Sequence, residues 1–211
     1  GEIEGWPLRV SEELQQEMPE KTAEAIRLLG EQLRLVKTLL PASAIEKLVS
    51  VPIWLSPTYE GFRPSGEYHP GVGWLRSQGR RPELHRCIEF TNIQIFEKEI
   101  KRMPVLVLHE LAHAYHHQVL GFDNEQIRAA YDQAMSTGSY DAVKRGNGKV
   151  EKAYAATNDR EYFAETSEAF FGENDFYPFD RDELERHDGR MARLLDKLWT
   201  ADQDASHRQS N

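Results

Sequence analysis

Pro104-Val-Leu-Val-Leu-His109-Glu110-Leu-Ala-His113-Ala-Tyr-His-His-Gln-Val-Leu-Gly121 is the stretch on which the reading of this chain turns. Pro104 suits the first turn of a helix, where its missing N–H goes unused. Gly121 suits the position just past the end. Between them Leu106, Leu108, Leu111, Ala112, Val119 and Leu120 form a mostly apolar cylinder, which predicts a helix buried on most sides. A buried helix carries titratable groups only where they find partners, and this one carries His109, Glu110 and His113.

His109 and His113 are four residues apart, so their rings leave the same helix face one turn from each other. That spacing lets two imidazoles share one Zn²⁺ at about 2.0–2.1 Å each. Glu110 points about 100° round the helix from His109. It can therefore reach a water on the metal without being a ligand. This is the H-E-x-x-H pattern. The competing reading, a helix with satisfied core histidines, fits less well with the apolar context.

The composition is that of a globular chain with one good-sized core: 39% hydrophobic and 29% charged over 211 residues. The formal charge of −9 argues against nucleic acid as the main partner. No apolar run approaches the roughly 18–20 residues of a membrane span, and no cleavable leader is visible. Cys87 is the sole cysteine, so an internal disulfide framework is excluded.

Around the central helix the pattern predicts an α+β fold, with strands gathered before His109 and helices after it. A short strand is expected at 3–10, placed at a sheet edge or made irregular by Pro7. Helices are expected from Pro19 to Leu40 and from Pro41 to Val49, then a strand at 51–55. Residues 56–73 read as a long loop rich in turn formers. Trp74-Leu75-Arg76 reads as extended and 86–91 as a strand. Beyond Gly121, a helix is expected over Glu125–Ser136 and a loose hairpin about Asn147-Gly148. A second helix runs from Asp159 to Phe171, capped by Asn158 with Glu161 in capping-box register and ended by Gly172. Short helices close the chain. The expected organisation is one catalytic domain over 1–200: a strand-rich part with helices at 1–103, a helical part at 104–200 carrying the metal, and a polar tail at 201–211.

A hydrolytic zinc usually has three protein ligands and an open position for water, so one ligand remains to be found. His116 and His117 are disfavoured. The H-E-x-x-H-x-x-G-x-x-H pattern needs glycine at 116 and histidine at 119, where the chain has His116 and Val119. They read as polar groups at a helix end. Cys87 would make a deformylase-like set, but a buried structural thiol is the default. The remaining source is Asn158-Asp-Arg-Glu161-Tyr-Phe-Ala-Glu165-Thr-Ser-Glu168. Its three glutamates share one face of a helix whose other side carries Phe163, Phe170 and Phe171. A metal facing the His109 helix accounts for them better than an exposed polar face does.

His109-Glu110-Leu-Ala-His113 followed by Glu161-Tyr-Phe-Ala-Glu165 resembles the gluzincin metallopeptidases, in particular the anthrax lethal-factor-like family. The resemblance covers roughly 104–121 and 150–171. It implies a zincin-like domain, with a small mixed or antiparallel sheet on the active-site helix and a mostly helical C-terminal part. It implies Zn²⁺ on His109, His113 and Glu161, with Glu165 supporting a ligand histidine. Tyr154, seven residues before Glu161, takes the place of the family's catalytic tyrosine. It further implies a peptide or protein substrate and a secreted or extracytoplasmic location. The N-terminal half has no counterpart to the toxin's substrate-binding parts, so substrate choice does not transfer.

The expected function is thus a zinc metallopeptidase with Glu110 as general base and Tyr154 as a donor to the developing oxyanion. Glu165 is expected to orient His109, and the substrate to add as a strand along 86–91 if that is a sheet edge. Tyr68 and His69 could line the cleft, but a plain turn role is the stronger reading for them. Two alternatives remain open: a zinc-binding or interaction protein without catalysis, and a deformylase-like amidase.

Overall fold

The computed structural model describes residues 1–200, so the tail expected at 201–211 lies outside the described residues. In chain order the elements are β1 (Glu2–Ile3), β2 (Trp6–Val10), α1 (Glu12–Glu17), α2 (Pro19–Leu39), α3 (Ala42–Leu48), β3 (Ile53–Leu55), β4 (Gly66–Tyr68), α4 (Val72–Ser77), β5 (Ile88–Phe90), α5 (Phe96–Arg102), α6 (Leu106–Tyr115), α7 (Glu125–Ser136), β6 (Val143–Lys144), β7 (Val150–Glu151), α8 (Asp159–Phe171), α9 (Arg181–His187) and α10 (Gly189–Thr200). The α+β expectation holds. The first part is not strand-rich by length, however: its longest strand has 5 residues, and α2 alone has 21.

The sheet order is β1-β2-β3-β5-β4. The pairs β2–β3 and β3–β5 are parallel, and antiparallel β1 and β4 close the two edges. Pro7 lies in the second strand rather than at the sheet edge. It is tolerated because it pairs only with Glu2, and the ladder to β3 begins at Leu8. The 86–91 segment contains β5, which has neighbours on both sides and no free edge. The strand with an open side is β4, inside the stretch expected to be loop. Gly66 lets β4 lie close to the core: a Cβ there would meet the Phe90 ring at 2.7 Å. Trp74-Leu75-Arg76 is helical in α4 rather than extended, with Leu75 fully buried beneath it.

Helix α6 is wrapped by α2, α3, β4 and α8, as its apolar circumference requires. Leu106, Val107, Leu108, Leu111, Ala112 and Ala114 are all buried. Pro104 falls in the turn before α6, not in its first turn, and its carbonyl accepts from Gln32 Nε2 of α2 at 2.9 Å. The helix does not run straight to Gly121. It gives way at His116 to a π-helical turn, His116–Leu120, and Gly121 then leaves it at φ +81°. Helix α8 begins as expected: Asn158 Oδ1 accepts from the backbone N–H of Arg160 at 2.9 Å and of Glu161 at 3.0 Å.

Candidate metal centre

Helices α6 and α8 bring three ligand atoms to one point. His109 Nε2 and His113 Nε2 are 3.1 Å apart. Glu161 Oε2 is 3.3 Å from the first and 3.2 Å from the second. Atoms about 2.0–2.1 Å from a tetrahedral ion stand roughly 3.3 Å from one another, so the triangle has the size of one face of such a site. The Glu161 side chain is occupied here and does not return to its helix start, so the capping box is half-made. Its Oε2 is buried and has no aligned hydrogen-bond donor. With the two imidazole nitrogens it makes a set that could hold a metal ion. Burial opposes its charge, yet His109 and His113 outweigh that and hold the carboxyl well below the usual range.

Behind the triangle, His109 Nδ1 is 2.6 Å from Glu168 Oε1 and 3.8 Å from Glu165 Oε1. The orienting carboxylate is therefore Glu168, and the expectation for Glu165 is corrected. Glu168 lies seven residues after Glu161, about 20° short of two full turns, whereas Glu165 is about 40° off Glu161's line. That angular match was the available signal in the sequence. Glu165 and Glu168 are both fully buried, and burial raises the pKa of each, with mutual repulsion adding to it at Glu165. His109, Glu165 and Glu168 could also gather round an ion. That second set is more deeply buried than the first, which opens on a larger cavity, though its Glu165 reaches a smaller one of about 350 Å³.

The larger cavity is about 600 Å³ and is lined by His109, Glu110, His113, Tyr154 and Glu161 together with β4. Glu110 Oε2 accepts the backbone N–H of Tyr68 at 2.8 Å, which ties the carboxylate to the open edge of the sheet. Tyr154 sits on a 3₁₀ turn, Tyr154–Ala156, rather than inside the hairpin. It is 47% exposed, its ring centroid is 6.5 Å from that of His109, and burial followed by the Glu161 charge pushes its phenol up to about 12. It is therefore a protonated donor at neutral pH.

Tyr68 and His69 line the cavity as well, against the plain turn reading. The Tyr68 hydroxyl is 2.8 Å from His117 Nδ1 and accepts from Gln118 Nε2 at 3.0 Å, fastening β4 to the π-helical turn. His117 lines the same cavity but belongs to neither cluster of possible ligands among the described residues. His116 is not a polar helix-end group: it is fully buried between Phe122 and Phe163, and neither ring nitrogen has a partner. Cys87 is buried against the Glu83 carbonyl and belongs to neither cluster of possible ligands among the described residues. No protein-family model, no curated protein and no solved structure matches the chain.

Proposed function

We propose that this protein is a zinc-dependent metallopeptidase with a zincin-like domain of the gluzincin, lethal-factor-like kind. The reading rests above all on the triangle of His109 Nε2, His113 Nε2 and Glu161 Oε2 beside Glu110, at the wall of an open cavity. Three ligands rather than four suit a site with a free position, which favours catalysis over a closed structural site. The place of Cys87 outside both clusters speaks against a deformylase-like ligand set.

When bound, zinc would supply Lewis acidity towards the scissile carbonyl and the attacking water. The side chains supply the rest. Glu110 takes the proton of the attacking water and passes it to the leaving nitrogen. Tyr154 donates its hydroxyl to the oxygen that gains charge. Glu168 accepts the His109 Nδ1–H, which fixes the tautomer and turns Nε2 towards the metal. The substrate backbone adds to the open side of β4 at Gly66, instead of along 86–91, next to the Tyr68 N–H that Glu110 already holds.

The test combines metal analysis with peptide-library cleavage. Wild-type protein should hold one zinc per chain and cleave peptides. Glu110→Gln should keep the metal and lose roughly 10²–10⁴-fold in turnover. Tyr154→Phe should keep the metal and lose roughly 10²–10³-fold, the cost of one oxyanion donor. Full activity in Glu110→Gln would eliminate the mechanism. Bound zinc with no cleavage of any peptide or formyl-peptide would favour an interaction protein.

A further inference from the structure

The larger cavity holds a cation that nothing in the metal centre uses. Arg160 is the second residue of α8, next to the metal ligand Glu161, and its side chain lines the cavity. Its guanidinium lies over the Phe122 ring, with 4.1 Å from Cζ to the ring centroid. Phe122 in turn packs on His117 at 4.7 Å between ring centroids. His117 is hydrogen-bonded to Tyr68, so one continuous wall joins the sheet edge to Arg160. Stacking engages the face of a guanidinium and leaves its in-plane N–H groups free for a carboxylate.

Those N–H groups meet no carboxylate among the described residues. The neighbouring Asp159 is 3.9 Å from Arg128, and Glu161 is turned to the histidines. The other acids of the cavity are already engaged: Glu67 pairs with Arg80, and Glu110 accepts the Tyr68 amide. His117 lies in the same positive field: burial first, then Arg86, His85 and Arg160, lower its pKa.

The direction of the substrate is set by its pairing with β4, and an extended peptide pairs slightly more stably antiparallel than parallel. A second cavity of about 350 Å³ shares Gly66, His109, Glu110 and Tyr154 with the first and extends back to Pro64 and Ser65. The larger cavity extends forward past Tyr68 to Pro70 and Gly71. A peptide lying antiparallel to β4 therefore enters the larger cavity with the residues that precede the scissile bond.

We propose that Arg160 is a specificity-determining residue, which selects peptides carrying an Asp or Glu side chain on the N-terminal side of the cleaved bond. This rests on the peptidase reading above. The test profiles a peptide library with zinc-loaded wild type, Arg160→Gln and Arg160→Glu. Arg160 is exposed, so the variants should fold and keep zinc. Wild type should favour acidic residues before the cleaved bond by about tenfold in kcat/KM, the worth of one charge-assisted pair. The effect should lie in KM, because the contact is remote from the reacting atoms. Arg160→Gln should lose the preference and Arg160→Glu should turn it towards Lys and Arg. Cleavage without acidic preference, or a preference that survives in Arg160→Glu, would overturn the role of Arg160 and leave the peptidase standing. No cleavage by zinc-loaded wild type would bring down the peptidase reading and Arg160's role with it.

Discussion

His69 and His109 are both buried, and each has a carboxylate against one ring nitrogen. Glu89 Oε2 is 3.1 Å from His69 Nε2, and Glu168 Oε1 is 2.6 Å from His109 Nδ1. The surroundings of the two pairs differ. Glu89 also accepts the Tyr59 hydroxyl at 2.8 Å and has Arg80 at 3.6 Å. Arg80 is itself enclosed by the rings of Tyr59, Phe62 and Trp74 at 4.9–5.1 Å. Both Glu89 oxygens have hydrogen-bond partners, although the buried Arg80 Nε has none, and the hydrogen bonds from His69, Ser56 and Tyr59 overcome the burial of Glu89 and lower its pKa. At the α6–α8 interface, Glu161, Glu165 and Glu168 each keep an Oε2 atom without a hydrogen-bond partner, and burial holds Glu165 and Glu168 above the usual carboxylate range. The first network has every carboxylate oxygen of Glu89 matched and ties Tyr59, His69 and Arg80 to β5. The second keeps unmatched acceptors and could hold a metal ion, and its His109, His113 and Glu161 side faces the cavity. Burial of a histidine beside a glutamate is thus no sign of function; the unmatched acceptors around it are.

This contrast can be broken most severely at Arg80. Arg80→Met removes the one full charge that balances Glu89 and Glu67, and should cost ~3–5 kcal/mol of stability in metal-free protein. Its zinc affinity, measured by competition with a chelator, should stay unchanged. A fall in zinc affinity with little loss of stability would show the two networks to be one. The next effect in size is at Glu168. Glu168→Ala should weaken zinc binding roughly 10–100-fold, whereas Glu165→Gln, further from His109 Nδ1, should cost less. The reverse order would return the orienting role to Glu165.

The smallest effect concerns His116, which belongs to neither network. Burial, then the charges of His113, Arg160 and His117, lowers its pKa to about 3. Below the ordinary imidazole value of about 6.5, the unfolded chain binds a proton that the folded chain refuses until about pH 3. Stability should therefore fall as pH drops through that window. His116→Phe removes this contribution. In metal-free protein its stability relative to wild type should improve by roughly 1 kcal/mol between pH 7 and pH 5.5. An unchanged difference across that range would mean that His116 takes up protons alike in the folded and unfolded chains.

The parts of the fold that could be read beforehand are those set by local rules. The buried helix, the Asn158 cap and the helix Glu125–Ser136 follow from periodicity and from the chemistry of free N–H groups at a helix start. The elements that went unread are short. Strand β4 is Gly-Glu-Tyr among turn residues, too brief for any alternation to show, and exists because β5 offers it a ladder. Helix α4 has six residues and no side-chain cap, and is held by the burial of Leu75. Strand 86–91 was visible as a strand, but its place inside the sheet was not, because edge or centre is decided by what pairs alongside.

By itself the chain's order of residues determined that two imidazoles leave one helix face four positions apart with a glutamate between them, and that a second helix carries three carboxylates on one side. Those are consequences of 3.6 residues per turn, a property of each helix alone. Which carboxylate meets the two imidazole nitrogens, which one holds His109, that Tyr68 fastens Glu110 to the open strand and that Arg160 meets no carboxylate among the described residues were decided only by how α6 lies against α8 and β4. Spacing along one helix is silent about the crossing of two, because that crossing is set by the packing of apolar side chains from distant parts of the chain.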